Sequence, residues 1–170
     1  GSSRFVRKNR WSAFPSFSAA WRVTEEPFMA AARKTLSEFK IRASYGTLGN
    51  QNINSYYPAS QLLTISSISA ANKIYPIVAQ NSLANEDITW ETTSTIDVGI
   101  DLSMLRNRLS VTADWYYKKT RDMLLQVPIA PIMGLSDPYD NIGDMNTKGW
   151  EVTLGWRDNI GDFSYGLSFN

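Results

Sequence analysis

Apolar and polar residues alternate along several stretches of this chain. From Leu109 to Tyr117 every second residue is apolar, and the residues between them, such as Ser110 and Asp114, are polar. Successive side chains of a β-strand point to opposite faces, so this segment has one apolar and one polar face. The pattern predicts a strand near 108–119.

The same alternation recurs and predicts an all-β chain with antiparallel strands. Six strands are predicted, near 14–23, 37–47, 90–102, 108–119, 147–156 and 163–170. Ten residues of strand rise about 33 Å, and a tilt of about 45° projects that length onto an apolar band near 25 Å. Each predicted strand is therefore long enough to cross a membrane.

Short connections join these strands into three hairpins. The first connection, 24–34, begins Thr-Glu-Glu-Pro, which predicts a short helix with a capping hydroxyl. The second is the turn 103–107. The third, 157–162, is rich in Asp, Asn and Gly, and folding about it brings Trp156 beside Phe163 and Trp150 toward Phe169.

Long loops, near 48–89 and 120–147, separate the hairpins. Short and long connections that alternate along the chain are typical of an up-and-down transmembrane β-barrel, with short periplasmic turns and long extracellular loops. No run approaches the ~18 consecutive apolar residues that a membrane helix needs. We therefore predict a barrel segment of about six spanning strands in the outer membrane.

A soluble β-rich domain, such as a carbohydrate-binding or adhesion module, is the alternative, because its strands alternate as well. Against it, strands of ten or more residues exceed the usual length of about 5–6 residues. A connection as long as 48–89 is also hard to accommodate in a compact domain.

The composition offers little support for catalysis or nucleic-acid binding. The chain has no histidine and no cysteine, which removes the commonest acid–base groups, nucleophiles and metal ligands. Asp97 and Asp101 would lie about 13 Å apart on one strand face, too far for a cooperating pair. A net charge of +1 does not suggest a nucleic-acid partner. We predict neither an enzyme nor a bound cofactor.

Two further clusters have ordinary interpretations. Asp137, Asp140 and Asp144 could surround calcium, but they do not follow the EF-hand pattern, so turn chemistry is favoured. The stretch 46–51 resembles a phosphate loop but lacks its Lys-Ser/Thr ending, so its glycines are interpreted as turn residues.

Seven phrases occur in an order that is specific as a set: FPSFSAAWR (14–22), EEPFM (25–29), IRASYGTLGNQNI (41–53), ITWETT (88–93), DVGIDL (97–102), DWYYKKTRDMLL (114–125) and NIGDMNTKGWE (141–151). Together they resemble the late barrel region of SusC-like TonB-dependent outer-membrane transporters of Bacteroidetes. The resemblance covers nearly the whole chain.

The resemblance implies energised uptake of large nutrients, most often glycan oligosaccharides and sometimes peptides, through a plugged barrel of about 22 strands. Its implied partners are a SusD-like surface lipoprotein, TonB acting through a plug domain, and outer-membrane lipid. The plug domain is absent from residues 1–170, and the first residues do not resemble a signal peptide. We therefore expect the chain to be an internal fragment of a longer protein.

The long loops contain the candidate ligand-binding residues. Tyr56 and Tyr57 occur among amide side chains in the first loop, and Tyr139 occurs beside acidic and amide residues in the second. Aromatic faces can stack on the apolar side of a sugar ring while amides and carboxylates bind its hydroxyls. The alternative role for each tyrosine is to pack the loops together or against a lid.

Overall fold

The computed structural model describes residues 1–54, 56–70 and 73–170. These residues form eight strands: β1 Ser16–Arg22, β2 Leu36–Asn50, β3 Leu63–Ala70, β4 Lys73–Gln80, β5 Glu91–Met104, β6 Leu109–Gln126, β7 Tyr139–Ile160 and β8 Phe163–Phe169. The helical segments in the described chain are single 3₁₀ turns of three residues, and none could traverse a bilayer.

Six of the strands form one antiparallel sheet in the order β1-β2-β5-β6-β7-β8. These are the six strands predicted from the sequence, and they pair in their order along the chain. The all-β, antiparallel fold and the meander are therefore confirmed. β3 and β4 form a separate two-stranded sheet within the first long connection. This hairpin was not predicted, because serines interrupt the apolar alternation of β3.

The second long connection is shorter than expected. β6 continues to Gln126 and β7 already begins at Tyr139, so most of 120–147 is strand rather than loop. Asp122 has a positive φ of 55°, a local kink of the kind that a β-bulge introduces. The apolar alternation ends at Tyr117, before this kink, and the first residues of β7 look like turn residues. The sequence pattern therefore ended β6 early and began β7 late.

The last hairpin differs from the prediction in its register. Residues 157–160 belong to β7, and the turn contains only Gly161, with φ 61°, and its neighbour Asp162. Trp156 consequently opposes Leu167, not Phe163, and Leu154 opposes Phe169 at the end of β8. The predicted pairing of Trp156 with Phe163 is wrong, because a two-residue turn extends both strands.

The first connection also differs in detail. Instead of one helix, residues 23–34 contain 3₁₀ turns at Val23–Glu25, Pro27–Met29 and Ala32–Lys34, none with a side-chain cap. The Thr24 hydroxyl accepts a hydrogen bond from the Phe39 backbone N–H at 3.5 Å. Pro27 begins its turn, as its fixed φ favours.

The chain divides into two compact units, and the first contains residues 1–14, 48–93 and 120–145. Its core consists of Phe5, Ile53, Ile88 and Leu124, against which Trp90 and Tyr139 pack. The Trp90 ring meets Phe5 edge-on at 5.3 Å and Phe14 at 5.4 Å, and its indole N–H donates to the Asn9 carbonyl at 3.0 Å. Trp90, which the alternation assigned to the apolar strand face, therefore anchors the N-terminal segment.

The second unit contains residues 15–47, 94–119 and 146–170, and its strands have one exposed apolar face. Ile96 and Val98 on β5 are exposed, whereas Asp97 is half-buried and Gly99 is buried. This is the reverse of a soluble sheet, in which the apolar members of an alternating strand are the buried ones.

Candidate ligand-binding site

Tyr139 lies at the start of β7 in the first unit and is held at both ends. Its ring packs against the core, and its hydroxyl accepts the Asn54 backbone N–H at 3.4 Å. Its backbone carbonyl accepts a hydrogen bond from the Asn85 side chain at 3.0 Å. Tyr139 is therefore in part a structural residue, as the packing alternative anticipated.

Tyr57 and Tyr139 line one cavity of about 180 Å³. Its other lining residues are Asn54, Pro58, Ser82, Leu83, Gln126, Ser136, Asp137 and Pro138. Pockets for drug-sized ligands occupy about 300–1,000 Å³, so this one is suited to a single sugar ring or one amino-acid side chain. It combines two aromatic rings with amide, hydroxyl and carboxylate groups.

Tyr56 lies outside this cavity. The Arg4 guanidinium carbon is 5.1 Å from the centre of its ring, within the range of a cation–π contact. Arg4 also donates a hydrogen bond to the Ile53 carbonyl, which attaches the N-terminal segment to the loop. The structure thus brings together two of the three predicted tyrosines, and the role of all three in binding stays a prediction.

Two amide side chains fix the segments around Tyr139: Asn141, one of the amide residues noted beside Tyr139 in the sequence, and Asn85, which the sequence analysis missed. Asn85 donates to the Tyr139 carbonyl and, at 3.1 Å, to the Asp140 carboxylate. Asn141 exchanges hydrogen bonds with the backbone of Thr89, accepting at 2.8 Å and donating at 3.1 Å. The Asn85-Glu86-Asp87 turn, in which the Asp87 N–H donates to the Asn85 side chain, was the local signal available in the sequence.

Each of the three candidate calcium ligands accepts a hydrogen bond from a backbone N–H. Asp137 accepts from the Ile129 N–H at 3.0 Å, and Asp140 accepts from the adjacent Asn141 N–H at 2.8 Å. Asp144 accepts from the Asp122 N–H at 3.3 Å. Among the described residues no group of three or more acidic side chains has an arrangement that could hold a metal ion.

An open cleft of about 630 Å³ lies between residues 59–61 and 84–87. At its edge the Lys8 ammonium donates to the Asp87 carboxylate at 2.8 Å. This hydrogen bond, with the attraction of the lysine charge, lowers the pKa of Asp87 below its ordinary value and raises that of Lys8. Both side chains are exposed, so the pair contributes little to stability.

The polar face of the second unit contains a charge network. Arg42 on β2 binds Asp101 on β5 through Nε at 2.8 Å and Nη2 at 3.2 Å, and its Nη2 also donates to Asp114 on β6 at 2.8 Å. The side chain of Arg42 passes over Gly99, where a Cβ atom would lie 2.1 Å from an Asp114 oxygen. The network leaves Asp101 as the partner of an arginine rather than of another carboxylate.

The glycine-rich stretch 46–51 is not a phosphate loop. Its first five residues belong to β2, and a Cβ atom at Gly49 would lie 2.0 Å from the Phe14 ring. An aromatic side chain that covers a strand glycine protects its exposed backbone. The glycine is required for this packing rather than for anion binding.

The chain is similar to known proteins along its whole length. It matches the family described as "TonB dependent receptor-like, beta-barrel" over residues 1–170. It is 38% identical over 159 residues to TonB-dependent receptor P26 of Formosa agariphila, covering 91% of this chain and 15% of that protein. It is 31% identical over 176 residues to TonB-dependent receptor SusC of Bacteroides thetaiotaomicron, covering 100% of this chain and 17% of SusC.

A solved structure of the RagAB peptide importer in its closed-closed state superposes with a TM-score of 0.82 at 27% identity. The match covers 98% of this chain and 19% of the RagAB chain, so this chain spans less than a fifth of the length of these proteins. The resemblance to SusC-like transporters is confirmed. The chain belongs to the TonB dependent receptor-like β-barrel family, whose members are outer-membrane transporters rather than enzymes.

Proposed function

We propose that this chain forms part of the wall and outer loops of a multi-pass outer-membrane β-barrel that imports large nutrients, with glycan oligosaccharides as its ligands. The observation that carries the proposal is the reversed polarity of the second unit. Trp150 on β7 is 75% exposed and Phe169 on β8 is 73% exposed, whereas the side chains of the Arg42 network are 24% to 32% exposed. An exposed apolar face opposite a paired polar face suits contact with lipid.

The polar face is proposed to line the lumen or to contact a plug domain elsewhere in the protein. The Arg42 network fits this role because its two carboxylates and the Arg42 and Lys40 cations balance one another. A neutral, internally paired wall does not bind a passing ligand tightly. TonB would act through the plug, and a SusD-like lipoprotein would cover the outer loops, as the resemblance to SusC-like transporters implies.

The cavity between Tyr57 and Tyr139 is proposed as one subsite for a sugar ring. A ring of this kind presents an apolar face that an aromatic side chain can cover and hydroxyls that Asn54 and Asp137 can bind. Tyr56 is proposed as a neighbouring contact through the ring face that the Arg4 cation does not cover. Other loops of the complete barrel would extend the site.

The experiment measures ligand binding by the full-length protein with its lipoprotein, purified in detergent. Maltoheptaose, laminariheptaose and a mixed peptide digest are compared by isothermal titration calorimetry. Tyr57→Ala should weaken glycan binding about tenfold, which corresponds to ~1.4 kcal/mol of lost stacking and packing. Tyr56→Ala should have a smaller effect, and Tyr75→Ala, on the separate β3–β4 hairpin, should have none. Equal effects of Tyr57→Ala and Tyr75→Ala would reject the subsite.

Peptide import is the second candidate, because the solved structures that this chain resembles are of a peptide importer. The same cavity would accept one amino-acid side chain. Binding of the peptide digest without binding of either glycan would establish peptides as the ligand class and leave the transport proposal standing.

A further inference from the structure

Two turns of the second unit bring three arginines around one cavity. Arg106 and Arg108 come from the turn between β5 and β6, and Arg157 comes from β7 just before its turn into β8. The cavity has a volume of about 260 Å³, and its remaining lining residues are Asn107, Asp158 and Asn159. Neither the fold nor the proposed transport role requires this concentration of positive charge.

The backbone of the first turn has an unusual conformation. Leu105, Arg106 and Asn107 have consecutive positive φ values of 56°, 60° and 66°. For residues with a Cβ atom this left-handed region is sterically strained, and least so for asparagine. The Leu105 N–H donates to the Thr35 carbonyl at 3.0 Å, and the Arg108 N–H donates to the Leu105 carbonyl at 3.4 Å. Strained backbone that is held in this way is concentrated at functional sites.

The charges around the cavity are not balanced by the residues that line it. The Arg108 Nε lies 3.1 Å from an Asp158 oxygen, which accounts for one positive charge. The Arg157 N–H donates to the Arg108 carbonyl at 2.8 Å, so two arginines occupy adjacent positions on neighbouring segments. Like charges in adjacent positions repel, and an anion in the cavity would relieve that repulsion. The three arginines and the one aspartate that line the cavity carry a net charge of +2.

We infer that this arginine cavity binds a phosphate group. Guanidinium groups bind phosphate oxygens through two parallel hydrogen bonds, and asparagine amides can donate to the remaining oxygens. The neighbouring side chains favour a phospholipid headgroup as the source, because Leu105, Ile160 and Phe163 are all exposed beside the two turns. Apolar side chains next to a basic cavity would contact acyl chains while the arginines hold the headgroup.

The test uses the full-length protein in detergent micelles and native mass spectrometry. Phosphatidylglycerol and phosphatidylethanolamine are added in equal amounts, with and without 10 mM inorganic phosphate. We expect bound phosphatidylglycerol, and we expect Arg106→Gln with Arg157→Gln to weaken its binding about tenfold or more, since each replacement removes charge-assisted hydrogen bonds. Arg22→Gln is the matched control, because Arg22 is an exposed arginine of the same unit that lies 3.7 Å from Glu38, outside the cavity.

The outcomes separate the sources of the phosphate. If inorganic phosphate does not displace phosphatidylglycerol, the cavity is a lipid site. If inorganic phosphate binds in place of the lipid and its binding depends on the same arginines, the cavity is a site for the free ion. Equal lipid binding by the double variant and the Arg22→Gln control overturns the inference. Arg106→Gln alone is measured as well, because this exposed turn residue lies outside both strands and its replacement leaves the sheet intact.

The lipid interpretation depends on the proposed membrane location. Outer-membrane fractionation of each variant therefore accompanies the binding measurement. A protein that fractionates with the outer membrane but does not bind phosphatidylglycerol or phosphate through these arginines contradicts the cavity assignment alone. A protein that is recovered outside the membrane contradicts the proposed function.

Discussion

A positive charge at Leu154 should destabilise the protein far more than the same charge at the adjacent Thr153. Leu154 is exposed on the apolar face of β7, opposite Phe169, and Thr153 points to the other face of the sheet. The two positions differ in depth by only one strand residue. A difference in stability between the two variants therefore reports which face of the sheet the charge occupies, and not how deep in the membrane it lies.

The magnitude follows from the position of Leu154 along its strand. Within the second unit, the exposed apolar residues of β7 extend from Trp150 to Ile160, about 33 Å of strand, which a tilt of about 45° projects onto ~23 Å. Leu154 lies about 9 Å inside one edge of that band, close to its middle. Arginine on the lipid face costs roughly 2–4 kcal/mol at the midplane and about 0–1 kcal/mol near the interfaces.

Leu154→Arg should therefore lower the free energy of unfolding by about 2–4 kcal/mol, Val152→Arg by less, and Thr153→Arg by about 1 kcal/mol or less. The measurement is denaturant unfolding of the full-length protein in phosphatidylcholine vesicles, followed by tryptophan fluorescence. Leu154→Ala serves to separate the loss of the leucine from the gain of the charge. Similar losses for Leu154→Arg and Thr153→Arg would refute the assignment of the apolar face to lipid.

Three further sets of substitutions test a close backbone approach, a buried tyrosine and an exposed ion pair. Gly99→Ala should destabilise the protein by about 1–3 kcal/mol, because the new Cβ would lie 2.1 Å from an Asp114 oxygen. Gly46→Ala, whose nearest contact would be at 3.5 Å, should destabilise it less. The denaturant concentration at the midpoint of unfolding is measured for both variants. Tyr139→Ala should lower unfolding free energy by about 2–4 kcal/mol and Tyr139→Phe by about 1 kcal/mol, measured in the same way. The pKa of Asp87 is lowered in the folded protein by Lys8. The Lys8–Asp87 ion pair, which attaches the N-terminal segment, should therefore be fully formed above about pH 4 and lost as the pH falls through the folded pKa. Asp87→Asn should abolish this pH dependence in the hydrogen-exchange protection factors of residues 4–9, which are corrected for the intrinsic effect of pH on exchange.

The local features of the fold were predictable because they depend on neighbouring residues. Alternation of period two predicted each of the six strands of the main sheet, and their order along the chain predicted the hairpins. The turn after β5 was located to within two residues. The ordered phrases were sufficient to identify the family, which the comparisons confirm.

Where the local pattern is weak, the sequence predicted less. Serines break the apolar alternation of β3, so the whole of β3 was assigned to a loop. β6 passes through the positive φ of Asp122, and its last residues were assigned to a loop. The register of the last hairpin depended on whether the turn uses two residues or six. That choice follows from pairing over the full length of both strands, which the turn composition alone does not determine.

The sequence by itself determined the strand periodicity, the polarity of the two faces, the absence of histidine and cysteine chemistry, and the family. Only the tertiary structure decided which distant residues meet: Trp90 with the N-terminal segment, Tyr57 with Tyr139, and Arg42 with two carboxylates. The physical reason is that periodicity is a property of neighbouring residues along one strand. Contacts between strands and loops depend on register, bulges and turn length, which are settled only when the whole sheet pairs.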